Sequence, residues 1–133
     1  MSEELAYNGK ILNVDLTTGS AEAEDLPDQF YKDYLGGYGM GARILFDRIP
    51  AGADALGPDN VLGLVPGLMT GTPIFGNRFQ AVCKSPSTGG WGDANCGGDF
   101  GPYLKFAGWD GIFMSGASDK PVFILIDDDK VTI

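Results

Sequence analysis

The sequence predicts an α+β fold: an antiparallel, sheet-rich domain with about three helices. Short alternating apolar segments, each closed by a Gly, Asn or Asp turn, outnumber the helical stretches. Hydrophobic residues make up 44% of the chain and charged residues 20%, a globular balance that argues against disorder. The 21 glycines and 8 prolines occur without repeat or low complexity, so they mark tight turns and close backbone approaches. A length of 133 residues suits one domain, taken as 1–133.

The elements follow in order. Lys10 to Leu16 alternates and ends at Thr17-Thr18-Gly19, and Ser20 to Glu24 returns, which predicts a hairpin. Pro27 and Asp28 open a helix with Phe30, Tyr34 and Leu35 on one stripe, ended by Gly36-Gly37. A second helix runs from about Met40 to Arg48 and stops before Pro50. Ala51 to Asn60 is a loop. Val61–Val65 and Arg78–Lys84 are strands, joined by a long turn-rich connection over Pro66–Asn77, a length that points to function. Gly97–Phe106 predicts a short helix, and Gly111–Ser115 and Val122–Ile126 predict strands. Asp127-Asp128-Asp129-Lys130 turns the chain into Val131–Ile133. The total is about eight strands. The chain stops inside the last one with no polar tail, which fits a natural end, a fragment boundary, or a subunit completed by another polypeptide.

Charge and composition narrow the function classes. Eighteen acids against nine bases give a formal charge of −9, which disfavours nonspecific binding to nucleic acid or anionic membrane. The acids collect near the ends, in Glu3, Glu4, Glu22, Glu24, Asp25 and Asp28 and again in Asp127–Asp129, as a solvated face. None occurs between Asn60 and Asp93. With no histidine, the usual general base and the Ser–His and Cys–His pairs are missing. Two cysteines, Cys83 and Cys96, hold neither a disulfide scaffold nor a four-ligand cluster. The opening residues lack a secretory leader and no apolar run is long enough to span a bilayer, so a cytoplasmic, reducing location is expected.

Candidate chemistry concentrates between Arg78 and Gly108. Asn95-Cys96-Gly97-Gly98 precedes the third predicted helix, whose free amides attract anions. One reading is a phosphate or metal-bridge site using Asn95, with Arg78 nearby in space. The other, commoner in proteins, is that Asn95 caps that helix. Cys96 is expected to be buried and inert. Trp91, Phe100, Tyr103, Phe106 and Trp109 read as an aromatic cluster that fills a core or lines a cavity. Gly36-Gly37-Tyr38-Gly39-Met40-Gly41 looks like a dinucleotide phosphate loop but follows a helix rather than a strand. It therefore reads as a helix end, a sharp turn and a close-packed second helix. The three aspartates at 127–129 read as a solvated turn, not a cation site.

Several segments in order carry a family resemblance: Gly9–Gly19, Leu35–Ala42, Gly67–Pro73, Lys84-Ser85-Pro86, Asn95–Gly98, Leu104–Asp110 and Lys120-Pro121-Val122. Together they resemble the first part of the N-terminal base domain of the aldehyde ferredoxin oxidoreductase family, tungsten enzymes with a bis-pterin cofactor (tungsten bis-molybdopterin). The resemblance implies a domain that forms a base under that cofactor. It places Arg78 and Asn95 against the pterin phosphates and Gly97 and Gly98 beside them. It also implies that the Asn95 backbone carbonyl helps hold a magnesium bridging the phosphates. It assigns the 4Fe-4S cluster, and the main pterin motifs, to later domains. The implied activity of the whole protein or assembly is oxidation of aldehydes to carboxylic acids, with ferredoxin or an iron–sulfur subunit as partner. This chain supplies no catalytic base. The family pattern has Arg at Tyr38, Ser or a similar residue at Cys96, and a neutral or aromatic residue at Asp99. Relatives of other function include the active-site subunit of tungsten benzoyl-coenzyme A reductases. The remaining domains of the same enzyme, or a second copy of the chain, are the other implied partners. The alternative is a non-catalytic standalone assembly domain.

Overall fold

The computed structural model describes residues 6–74 and 76–133. Glu3, Glu4 and the rest of residues 1–5, and Phe75 of the long connection, lie outside them. Among the described residues, no helix is long and apolar enough to cross a membrane.

The predicted hairpin forms from β1 (Lys10–Asp15) and β2 (Ser20–Asp25), paired antiparallel with Asp15 opposite Ser20. Side chains along β1 alternate between two cores. Ile11 faces one, and Leu12 and Val14 face the other. Helices α1 (Asp28–Tyr34) and α2 (Tyr38–Arg48) follow. The buried side of α1 is centred on Tyr31, and Leu35 is exposed, so the expected Phe30–Tyr34–Leu35 stripe is displaced by about one residue. Tyr31 wins the inner position because its hydroxyl finds a buried acceptor, Asp110.

β3 (Val61–Pro66), β4 (Phe79–Lys84), β5 (Trp91–Cys96) and β6 (Ile112–Ser115) complete a six-stranded sheet of order β2-β1-β6-β3-β4-β5. Every pair is antiparallel except β1 with β6, which run parallel. The expected sheet-rich α+β fold is therefore present, as one main sheet covered by helices. The strand β5 is a finding that the sequence pattern did not announce. It is an edge strand with almost every residue exposed, so no buried face imposes an apolar alternation on it.

Helix α2 packs its Met40, Ile44 and Leu45 on Val61, Val65, Val82 and Phe113, closing one core. On the opposite face, α3 (Phe100–Phe106) contributes Leu104 to a second core with Leu12, Val14, Trp109 and Ile112. A ribbon of β7 (Leu125–Asp127) and β8 (Lys130–Thr132) packs Ile126 and Val131 against it. β7 is shorter than the expected Val122–Ile126, because its ladder reaches only to Leu125 opposite Thr132. Asp127–Asp129 forms the ribbon turn, with Trp109 Nε1 donating to the Asp128 carbonyl at 3.0 Å. The glycine run at 36–41 is the predicted helix end and turn into α2.

Candidate functional site

The sheet brings Arg78 and Asn95 together. Asn95 lies in β5 opposite Gln80, and Arg78 precedes β4 by one residue, two before Gln80. Arg78 Nη1 donates to Asn95 Oδ1 at 2.7 Å, and both residues are exposed. The two readings of Asn95 separate here. It is not a helix cap, since α3 begins at Phe100 after Asp99 and has no side-chain cap. Its place is an edge strand, and its partner is a guanidinium.

Arg78 has a fixed main chain and an exposed side chain held by its contact with Asn95. Its carbonyl accepts from Thr70 Oγ1 at 2.8 Å and from the Gly67 amide at 3.3 Å. Thr70 is buried, and Gly101 of α3 closes over the same carbonyl. The guanidinium projects beyond this anchor. Among the described residues its one hydrogen bond is to Asn95, and the ion pairs engage other cations. One of five N–H donors is used, which leaves a fork suited to an oxyanion.

Glycines border this ledge. A Cβ on Gly97 would lie at an ordinary contact distance of 4.0 Å from both Arg78 Cζ and Asn77 Oδ1, so this glycine borders the guanidinium. Gly98 has φ +99° and faces open space. On the other side of Gln80 lies the turn before α2, where Gly37 adopts φ +56° and ψ −123°, a combination that favours glycine. Leu35, at φ 60°, holds a strained backbone at the start of that turn. Asp93 is engaged with Trp91 Nε1 at 2.6 Å. The ledge is open surface. A cleft of about 450 Å³ lined by Asn13, Asp15, Arg48 and Asp59 lies elsewhere, as does one of about 290 Å³ between α2 and Trp91.

Other expectations divide. Cys96 is exposed, against the buried, inert expectation, because it ends an edge strand. Cys83 is half-buried, and burial pushes its thiol pKa up. The five aromatics do not form one core: only Trp109 is buried. Tyr103 and Phe106 share the outer stripe of α3 in edge contact at 6.2 Å, while Phe100 stacks obliquely on Phe79 at 4.7 Å. Trp91 lies at the far end of β5. Among the described residues no group of three or more His, Cys, Asp or Glu could hold a metal. Gln80 belongs to no sequence motif, although its parity with Val82 puts a polar side chain on the core face of β4.

The family model described as the N-terminal domain of aldehyde ferredoxin oxidoreductase matches residues 11–133. The chain belongs to this family. A tungsten-containing aldehyde ferredoxin oxidoreductase from Thermococcus kodakarensis is 45% identical over 126 residues, covering 94% of this chain and 21% of the relative. An aliphatic sulfonate oxidoreductase, WOR-like subunit, from Pyrococcus furiosus is 36% identical over 131 residues, with 96% and 21% covered. Among solved structures, the active site complex BamBC of benzoyl coenzyme A reductase, bound to 1,5-dienoyl-CoA, matches with a TM-score of 0.93 at 40% identity. That match covers 96% of this chain and 20% of the other. The chain thus spans about a fifth of the length of these relatives.

Proposed function

We propose that this chain is the cofactor-cradling part of a tungsten (or molybdenum) bis-pterin oxidoreductase. The whole protein or assembly oxidises aldehydes to carboxylic acids, in the cytoplasm, with ferredoxin as electron acceptor. The observation that carries this is the Arg78–Asn95 pair, standing on an exposed, glycine-bordered ledge in a chain that matches the family over residues 11–133. The donor set fits an anionic group. The phosphates of such a cofactor would repel one another, and the guanidinium steadied by Asn95 would offset that charge with directed N–H donors. A bridging magnesium would add positive charge while drawing on neutral oxygens. Asn95 supplies such oxygens, and β5 is an edge strand, so alternate carbonyls face away from its ladder.

When bound, the tungsten centre supplies the two-electron redox chemistry. Arg78, Asn95, Gly97 and Gly98 bind and orient the cofactor, and none of them acts on the substrate. The 4Fe-4S cluster needs cysteines from the remaining domains, since this chain has two in all. The structural likeness to the benzoyl coenzyme A reductase complex favours a second reading, reduction of an aromatic thioester at the same kind of centre. Full-length protein grown with tungstate tests both. Tungsten or molybdenum should copurify, and a protein with neither contradicts the cradle. Turnover of simple aldehydes against benzoyl-coenzyme A then decides the substrate class.

A further inference from the structure

Gln80 is an anomaly in a strand that otherwise buries apolar groups. It is 7% exposed, and its Oε1 is buried with no hydrogen-bond donor among the described residues. Its cross-strand neighbours are Val65 and Asn95, and Arg78, one residue before β4, donates to the side chain of that same Asn95. The amide ends against Gly37, the residue before α2, where any Cβ would overlap Oε1. Glycine at 37 therefore makes the room that this carboxamide occupies. A buried carbonyl with no donor is costly, and such a group in a native fold calls for an explanation.

We infer that Gln80 is a positioning residue of the cradle, its side-chain carbonyl accepting an N–H or O–H donor from the bound cofactor while Arg78 holds the phosphates. The inference rests on the cradle reading above and extends it inward, from the exposed pair to the buried floor between β4 and the α2 turn. The shared chemistry is a hydrogen-bond donor. It comes from the pterin ring amines or from water in the shell of a phosphate-bridging magnesium.

The test uses full-length holoenzyme and its cofactor-free form, as wild type, Gln80→Met and Arg78→Ala. Methionine keeps the unbranched length of glutamine and lacks the acceptor. Cofactor-free Gln80→Met should melt at or above the wild type, since removing an unpaired buried acceptor is neutral or favourable. The holoenzyme should lose tungsten and pterin about tenfold faster on dilution, the effect of one hydrogen bond. If magnesium removal abolishes the difference between wild type and Gln80→Met, the donor is cation-bound water. If the difference persists, it is a pterin N–H. Unchanged retention in Gln80→Met, or a cofactor-free variant that melts well below wild type or does not fold, overturns the role of Gln80. When Arg78→Ala loses cofactor and Gln80→Met does not, the cradle stands and this inference alone fails. When neither does, the cradle reading fails as well.

Discussion

Asp110 and Arg78 are both charged residues that the sheet holds beside α3, yet their surroundings are opposite. Asp110 is 3% exposed. It accepts from the Asn8 and Gly9 amides, from Tyr31 Oη at 2.8 Å and from Lys105 Nζ at 2.8 Å. Lys105 also donates to the Ala6 carbonyl, so one carboxylate ties the N-terminal segment, α1 and α3 to the start of β6. Arg78 is exposed and, among the described residues, makes one side-chain hydrogen bond, to an equally exposed asparagine. A charge whose bonds are all met inside the protein is part of the fold. A charge whose main chain is clamped and whose head group is left open adds little to the fold; in the proposed cradle it meets the cofactor.

The contrast is sharpest in folding stability. Asp110→Ala should cost about 3–5 kcal/mol, because it leaves the Lys105 ammonium buried and unpaired. Urea unfolding measures this, and a loss under about 1 kcal/mol would remove Asp110 from the frame. Gly37→Ala comes next, at about 1–3 kcal/mol, since its backbone conformation disfavours a Cβ and the Gln80 carboxamide must shift to admit one. Its thermal midpoint should fall while Gly97→Ala, at an ordinary 4.0 Å contact on the open ledge, leaves the midpoint nearly unchanged.

Tyr31→Phe should cost about 1 kcal/mol near neutral pH, the value of one hydrogen bond. The pH dependence is more specific. Burial, and then the Asp110 carboxylate, push the Tyr31 hydroxyl pKa above its ordinary 10.0. The unfolded chain therefore releases this proton before the folded one does. The stabilisation is complete below pH 10 and declines as pH rises beyond it. Tyr31→Phe should flatten that alkaline loss, and an unchanged alkaline slope would show that Tyr31 does not cause it. Arg78→Ala is the smallest, within about 0.5 kcal/mol, as expected for an exposed side chain without a charge partner.

The same contrast governs what could be read from sequence. Arg78 and Asn95 stood out in the sequence because glycines surround them, because no acid falls between Asn60 and Asp93, and because their segments resemble a family; the sheet does bring the two side chains together. The central strands were legible because β1, β3 and β6 are buried on alternating or both faces. β5 was not, since an edge strand exposed along its length has no period to display. Cys96 and the α3 aromatics misled for a related reason: residue type speaks for burial only where an element has a covered face. Asp110 was invisible as a keystone, because nothing local distinguishes it from the solvated aspartates of the β7–β8 turn. Its role depends on Asn8, Tyr31 and Lys105 arriving from three distant segments.

The most direct test of the central claim is the tungsten content of full-length Arg78→Ala, expressed with tungstate beside the wild type and compared at equal folded protein. The proposed cradle requires the variant to melt like the wild type and to retain distinctly less tungsten and pterin. Full metal content with full activity in Arg78→Ala would contradict it.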